Sequence, residues 1–152
     1  MAEQRQFCTF HLANMFFGVS VDQIQEVLRY QRMTAVPLAA PTIEGLINLR
    51  GQIVTAIDLR RRLGMPDRSP DTLPMNVVVR SGDEVLSLLV DEIGDVLEVD
   101  EDRFEAPPET VDGVARQLIT GVYKLDGRLL LVLDVDRTVD IDASLKTSAT
   151  DC

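Results

Sequence analysis

Residues 45–66 have the sequence G-L-I-N-L-R-G-Q-I-V-T-A-I-D-L-R-R-R-L-G-M-P, a pattern that predicts a β-hairpin followed directly by a short helix. The aliphatic and β-branched segments on either side of Gly51 favour strands, and Gly51 suits the tight turn between them. Asp58 can accept hydrogen bonds from the first amides of a helix, while Gly64 and Pro66 end that helix. We therefore expect two strands, a turn, a helix cap and a helix end in continuous order.

The same pattern recurs 76 positions further along the chain, where residues 121–137 have the sequence G-V-Y-K-L-D-G-R-L-L-L-V-L-D-V-D-R. Turn, strand and cap positions correspond in one order, which predicts an internal duplication. Chance similarity between two aliphatic hairpins is the alternative. The corresponding pairs are Gly45 and Gly121, Leu49 and Leu125, Gly51 and Gly127, Ile57 and Leu133, Asp58 and Asp134, and Arg61 and Arg137.

Arg50 is a turn residue at which the two copies differ. Asp126 occupies the corresponding position, so the hairpin turn does not require arginine. A turn residue without a structural role is a candidate for recognition, and a solvated surface charge is the alternative. We therefore predict that Arg50→Asp preserves the fold and abolishes coupling to a partner.

The composition suits one compact domain or two small, closely packed subdomains. The chain has 152 residues, of which 45% are hydrophobic, and a net charge of -10. Residues 83–112 hold twelve acidic side chains and one basic side chain, whereas residues 50–62 hold four arginines and one aspartate. The acidic balance argues against nucleic acid or an anionic membrane as a partner. The uneven distribution predicts two electrostatically distinct faces, with an ordinary solvated acidic face as the alternative.

The two cysteines, Cys8 and Cys152, provide no disulfide framework, which fits a reducing cytoplasm. The N-terminal sequence M-A-E-Q-R-Q does not resemble an export signal, and the longest aliphatic run, residues 129–133, is too short to cross a bilayer. We therefore expect a cytoplasmic protein that is not inserted into a membrane.

The rest of the chain predicts short strands with brief helical turns. A second hairpin is expected at residues 75–90, with its turn at 81–84, and a helical turn is expected at 23–26. The polar, proline-containing segment 66–71 predicts a junction between two subdomains, and residues 144–152 predict a disordered tail. The fold class is therefore mainly β, with two small antiparallel barrels, and a single large sandwich is the alternative.

The sequence lacks the residue patterns of an enzyme or a metal site. His11 is the only histidine, and no serine or cysteine accompanies it at a recognised catalytic spacing. No Cys or His pair has zinc-ligand spacing, and a glycine-rich phosphate loop is lacking. Asp91, Glu92 and Asp95 are interpreted as a solvated strand end, with a cation site as the less favoured alternative. By elimination, the sequence predicts a binding module without catalytic activity, cofactor or metal.

Motifs between residues 7 and 139 resemble the CheW family of bacterial chemotaxis coupling proteins. The most specific motif is G-L-I-N-L-R-G-Q-I-V-T-A-I-D-L-R, and the others are F-G-V-S-V-D-Q-I-Q-E-V, P-L-A-A-P, L-L-V-D-E-I-G-D-V-L, A-P-P and the final L-D-V-D. The resemblance implies one CheW-like domain over residues 1–152, built from two intertwined five-stranded SH3-like barrels. Strand exchange between the two halves, divided near 66–71, is compatible with this architecture.

The resemblance also implies a non-catalytic adaptor. In that family the protein couples the cytoplasmic tip of a chemoreceptor's helical hairpin to the regulatory domain of the histidine kinase CheA, which has the same fold. The implied location is the cytoplasm, with recruitment to membrane-associated chemoreceptor arrays. A small-ligand-binding β-barrel or an unrecognised hydrolase is the alternative. A polar pocket containing His11 would favour this alternative, and a shallow apolar groove would favour the adaptor.

Receptor contacts in the family lie in a groove between the barrels. The resemblance implies that three aliphatic residues of this chain receive the apolar side of the receptor hairpin, with ordinary core packing as the alternative. Two charged residues would fix its register, and Ser87 stands where relatives commonly have glycine. The resemblance assigns no individual kinase contacts. The implied receptor-binding residues are Ile24, Glu26, Arg50, Ser87, Ile93 and Val96.

Overall fold

A computed structural model describes residues 4–111 and 113–140, and these residues form eleven strands and three short α-helices. The tail predicted at 144–152 lies outside the described residues. None of the helices in the described ranges is long and apolar enough to cross a membrane. The strands are β1 (Gln4–Leu12), β2 (Met15–Ser20), β3 (Ile24–Leu28), β4 (Ile43–Leu49), β5 (Gln52–Asp58), β6 (Met75–Ser81), β7 (Glu84–Val90), β8 (Glu92–Asp100), β9 (Phe104–Glu105), β10 (Ile119–Leu125) and β11 (Arg128–Leu133). The helices are α1 (Leu59–Arg62), α2 (Gly113–Leu118) and α3 (Val135–Val139).

The strands form two sheets whose members are interleaved along the chain. One sheet has five strands in the order β3-β6-β7-β5-β4, and the other has six in the order β8-β1-β2-β11-β10-β9. The N-terminal hairpin β1–β2 therefore belongs to the same sheet as the C-terminal strands. The segment 66–71 connects α1 to β6 within the span of the five-stranded sheet. Each sheet is antiparallel except for one parallel pair, β5 with β7 and β2 with β11.

The two predicted hairpins have the same register and the same irregularity. In β4–β5 the pairing passes from Ile43 with Ile57 to Gly45 with Ala56, and in β10–β11 the corresponding step occurs at Gly121. The parallel pairs also correspond, because Thr55 pairs with Leu86 and the equivalent residue of β11 pairs with the equivalent residue of β2. A shared bulge and a shared parallel register are the features that an internal duplication would retain.

The correspondence extends to the remaining strands of each sheet. Ile24 of β3 pairs with Val79 of β6, and Ile93 of β8 pairs in the same way with Phe10 of β1. The β3–β6–β7 unit therefore corresponds to β8–β1–β2. Ile24 and Ile93 occupy equivalent positions in the two copies, directly after the two points at which the chain crosses from one sheet to the other.

Three apolar clusters hold the two curled sheets together. One cluster, which contains Val54 and Val78, lies inside the five-stranded sheet, and another, which contains Phe7 and Leu130, lies inside the six-stranded sheet. The largest cluster lies between the sheets and includes Phe10 and side chains from all three helices. Each sheet thus encloses a core of its own, and a shared core joins the two units.

Two local predictions needed correction. The helical turn predicted at 23–26 lies at Val21–Gln23, where the Ser20 hydroxyl accepts a hydrogen bond from the Asp22 amide, and residues 24–28 are strand β3. Pairing of β3 with β6 overrides the local preference there. The helix α2 was missed, because its six residues are too few to show a helical period.

Candidate functional site

The six predicted receptor-binding residues lie on three strands and one turn. Ile24 and Glu26 are on β3, and Arg50 is in the turn between β4 and β5. Ser87 is on β7, while Ile93 and Val96 are on β8. The strands β3 and β8 are each an edge strand of one sheet.

Ile24 and Ile93 are both partly buried and pack against the cluster between the two sheets. Each side chain therefore contributes to the shared core and also retains some exposed surface. This placement is compatible with both interpretations that the sequence left open, namely core packing and contact with a receptor.

Glu26 and Arg50 form a direct ion pair. Glu26 lies on one edge strand of the five-stranded sheet, and Arg50 follows the other edge strand, so this contact brings the two edges together. The Arg50 side chain is 70% exposed, whereas the Glu26 side chain is 22% exposed. The guanidinium group therefore covers the carboxylate and still presents most of its surface to solvent.

The turn that carries Arg50 differs from its counterpart in the second copy. Arg50 has φ 52° and Gly51 has φ 91°, and the Asn48 side-chain oxygen accepts a hydrogen bond of 2.8 Å from the Gly51 amide. In the second copy Gly127 has a positive φ and Asp126 does not. The sequence-based assumption that Arg50 has no structural role and shares its geometry with Asp126 is therefore wrong, because an ion pair and a left-handed backbone distinguish Arg50.

Ser87 is fully buried inside the five-stranded sheet. Its hydroxyl donates a hydrogen bond of 2.7 Å to the side-chain oxygen of Asn76, whose amide group donates to the carbonyl of Arg29 at 3.1 Å. Ser87 lies opposite Val78 on β6, and Val78 lies opposite Glu26 on β3. Ser87 is therefore separated from the strand that carries Glu26 by β6, and its buried side chain has no surface of its own to offer a partner.

Val96 is 57% exposed on the outer part of β8, where it pairs with Cys8 of β1. The equivalent residue of β3 is Val27, which is 38% exposed. An apolar side chain with this much exposure contributes little to the core and is available for binding. The structure therefore brings Glu26 and Arg50 into contact, places Ile24 and Ile93 against one core, and leaves Ser87 below the surface and Val96 on it.

His11 lines an open cavity of about 500 Å³ at the end of the six-stranded sheet. Its ring lies 4.9 Å from the ring of Phe16, and the guanidinium carbon of Arg128 lies 3.8 Å from the centre of the Phe16 ring. The described residues around this cavity are mainly apolar and include neither a serine nor a cysteine. Because a nucleophile beside a base is the basis of hydrolysis by a serine or cysteine enzyme, the cavity does not favour the hydrolase alternative.

Asp91 is a largely buried residue that the sequence-based interpretation placed on a solvated strand end. Its side chain is 13% exposed and forms ion pairs with Arg60 of α1 and with Arg68, whose Nε lies 3.1 Å from the carboxylate. The backbone amide of Ala13 donates a third hydrogen bond at 2.7 Å. The interpretation was wrong for Asp91 because its partners lie far away in the sequence. The excess of arginine at residues 60–68 was the one feature of the sequence that could have indicated charged partners for Asp91.

The ionisation of Asp91 reflects these contacts. Burial alone would raise the pKa of its carboxyl group. Hydrogen bonds from Arg60, from the Ala13 amide and from Arg68 outweigh this effect, so the pKa of Asp91 lies below its ordinary value. Arg68 also approaches Asp58 at 3.4 Å, and the two side chains are 10% and 6% exposed. The result is a buried charge cluster in which each carboxylate has at least one guanidinium partner.

Comparison with known proteins identifies the family. The model of the CheW-like domain family matches residues 6–142. The chain belongs to the CheW-like family. The chemotaxis protein CheW of Bacillus subtilis is 33% identical to this CheW-like chain over 128 residues, which cover 84% of the chain and 82% of the relative. The chemotaxis protein CheW of Klebsiella aerogenes is 30% identical over 133 residues, with coverage of 88% and 80%.

A solved structure agrees with the fold. The crystal structure of the scaffolding protein TtCheW from Thermoanaerobacter tengcongensis superposes on this CheW-like chain with a TM-score of 0.83. The two are 26% identical, and the match covers 92% of this chain and 95% of the other. The prediction of a mainly β protein with the two-barrel CheW architecture is confirmed. Family membership assigns this CheW-like chain to chemotaxis signal transduction.

Proposed function

We propose that this chain is a non-catalytic adaptor that couples chemoreceptors to the histidine kinase CheA. The observation that carries the proposal is the match over nearly the whole chain to a solved CheW scaffolding protein. The same proposal includes a cytoplasmic location and recruitment to receptor arrays at the membrane. The partners are the cytoplasmic tip of a chemoreceptor and the regulatory domain of CheA, which follow from the family resemblance.

The receptor site in this proposal follows β3 and β8 and includes the exposed parts of Ile24, Ile93 and Val96. A helical hairpin presents an apolar stripe, which these aliphatic side chains can receive. The Glu26–Arg50 pair lies beside this surface, and its exposed guanidinium group supplies a charge that can orient the partner. Ser87 enters the proposal as a residue that supports β3 through β6, since its own side chain is buried.

The direct test is a change at Val96, the most exposed of the six predicted residues apart from Arg50. We expect Val96→Asp to weaken binding of a receptor-tip fragment at least tenfold, because a carboxylate on the apolar surface would be desolvated by the receptor. Binding of the CheA regulatory domain and the melting temperature should change little. Leu73→Asp, at a side chain that is 61% exposed in the connection before β6, is the matched control.

Two outcomes would reject this site. Receptor binding that is equal for the parent chain and for Val96→Asp would remove β8 from the interface. Equal loss of receptor binding with Leu73→Asp would show that added negative charge, rather than position, decides the result. Reconstitution with receptor and kinase then measures whether the parent chain increases kinase activity, as an adaptor must.

The absence of catalysis forms a separate part of the proposal. His11 packs against Phe16, and neither a serine nor a cysteine accompanies it among the described residues around the cavity. We therefore expect His11→Ala to retain receptor and kinase coupling. The purified chain should also show no hydrolase or phosphotransfer activity in the absence of CheA. Loss of coupling in a folded His11→Ala variant would contradict this part of the proposal.

A further inference from the structure

The chain crosses between the two sheets at two equivalent places. The first crossing, residues 20–24, leads from β2 to β3, and the second, residues 90–92, leads from β7 to β8. Each crossing is followed at once by one of the equivalent isoleucines, Ile24 or Ile93. The contacts made at the two crossings therefore help to position these two residues against the shared core.

The second crossing is held by buried charges. Asp91 accepts hydrogen bonds from Arg60 and from Arg68, and their side chains are 15% and 10% exposed. The same carboxylate accepts the amide of Ala13, and the Asp91 amide donates to the carbonyl of His11 at 3.1 Å. Arg60 and Arg68 belong to the five-stranded unit and the other two residues to the six-stranded unit. Asp91 thus joins both units within one cluster.

The first crossing has a weaker version of this contact. Arg60 and Asp136 are equivalent positions of α1 and α3. Asp136 accepts a hydrogen bond of 2.7 Å from the Ser81 hydroxyl and one of 3.4 Å from the side chain of Gln23. Asp136 is exposed, and neither of these partners is charged. Hydrogen bonds of this kind between exposed groups compete with water and are easily replaced.

We propose that the two crossings act as an unequal clasp, in which the second crossing is fixed at Asp91 and the first crossing can open locally at Asp136 while the shared core keeps the two barrels together. Opening at Asp136 shifts Ile24 relative to Ile93 and so adjusts the width of the receptor groove. The functional part of this inference rests on the adaptor role proposed above. Arg62, which donates to the carbonyls of Thr138 and Arg137 at 2.8 and 2.9 Å, supplies a further link between α1 and α3.

Hydrogen exchange on the free full-length chain tests the clasp without a receptor. We expect the amides of β3 to be protected at least tenfold less than the equivalent amides of β8, because local opening exposes the weakly held crossing first. Asp136→Ala, which removes the acceptor of both hydrogen bonds, should lower the protection of β3 at least threefold and leave β8 unchanged. Asp91→Asn should lower the protection of β8, and Arg68→Gln replaces it if that variant does not fold. Asp126→Asn, in the exposed turn between β10 and β11, is the control.

The outcomes separate the clasp from the adaptor role. Equal protection of β3 and β8 in the parent chain, or unchanged β3 protection in Asp136→Ala, would overturn the clasp even if the parent chain binds a receptor fragment normally. A measured clasp in a chain that fails to bind the fragment would instead reject the proposed function. If both hold, Asp136→Ala should change the affinity for the receptor fragment at least threefold while the melting temperature stays within about 2 °C of that of the parent chain.

Discussion

The two copies within this chain share a backbone and differ in the residues that meet at its surface and inside its barrels. The shared features are the bulge before Gly45 and Gly121 and the caps at Asp58 and Asp134. Each cap carboxylate accepts a backbone amide of its helix at 3.1 Å. Turns, bulges and caps therefore specify the architecture, whereas residues at other positions make different contacts in the two copies.

The two barrel interiors illustrate this difference. Ser87 is polar and buried in the five-stranded sheet, and the equivalent residue of the six-stranded sheet is Gly18. A side chain at Gly18 would lie 3.0 Å from Leu130 and 3.2 Å from Phe7, so that barrel is filled by large apolar groups. The five-stranded barrel instead accommodates a hydrogen-bonded pair, Ser87 with Asn76.

The largest expected effect on the free energy of unfolding is at the second of the two crossings. Asp91→Ala should lower the free energy of unfolding by about 3–5 kcal/mol, because it leaves two guanidinium groups without their buried partner. Asp136→Ala, at the equivalent contact of the other crossing, should cost less than about 1 kcal/mol. Denaturant unfolding of both variants measures the difference. Similar losses for the two variants would refute the unequal clasp as a feature of stability.

A second, smaller effect compares the barrel interiors. Ser87→Ala should cost about 1–3 kcal/mol, because the buried oxygen of Asn76 loses its donor. Ser69→Ala, at an exposed loop position whose hydroxyl accepts only the Asp71 amide, is the matched control and should stay within about 0.5 kcal/mol. The measurement is denaturant unfolding at neutral pH. A neutral result for Ser87→Ala would mean that the interior pair contributes no net stability.

A third comparison uses pH. The pKa of Asp91 is depressed in the folded chain, so this carboxylate stabilises the fold above its unfolded pKa of about 3.9. That contribution is lost as the pH falls from about 4 through the lower, folded pKa. The parent chain should therefore lose more stability than Asp91→Asn between neutral pH and the acid limb. Parallel pH profiles of the two proteins would show that Asp91 does not contribute in this window.

The smallest expected effect on stability is at the turn that distinguishes the copies. Arg50→Asp removes an exposed ion pair and should cost less than about 1 kcal/mol, and aspartate tolerates the left-handed conformation found there. Receptor affinity should fall much more, by about 2–5 kcal/mol if the Arg50 contact is buried in the complex. Asp126→Arg is the reciprocal control. A collapse of the melting temperature with Arg50→Asp would assign Arg50 to the fold rather than to the receptor.

The sequence predicted those parts of the fold that depend on neighbouring residues. The hairpin turns at 50–52 and 81–84, the helix after Asp58 and the repeated unit at 121–137 all follow from local turn, strand and cap chemistry. The set of receptor-contact residues came from family motifs, and it stays a prediction. It does show that Ser87 is buried and that Arg50 has a partner within the chain.

What the tertiary structure alone decided are the contacts between residues distant in sequence. These contacts join segments whose local sequence patterns are independent of each other. They are the interleaving of the sheets, the parallel strand pairs, the Arg60–Asp91 cluster and the Glu26–Arg50 pair. A carboxylate such as Asp91 has the same local pattern whether it faces water or a buried guanidinium group. Local sequence therefore determined the elements and their repetition, while packing of the two units on a shared core decided which charges are buried and which surfaces remain for a partner.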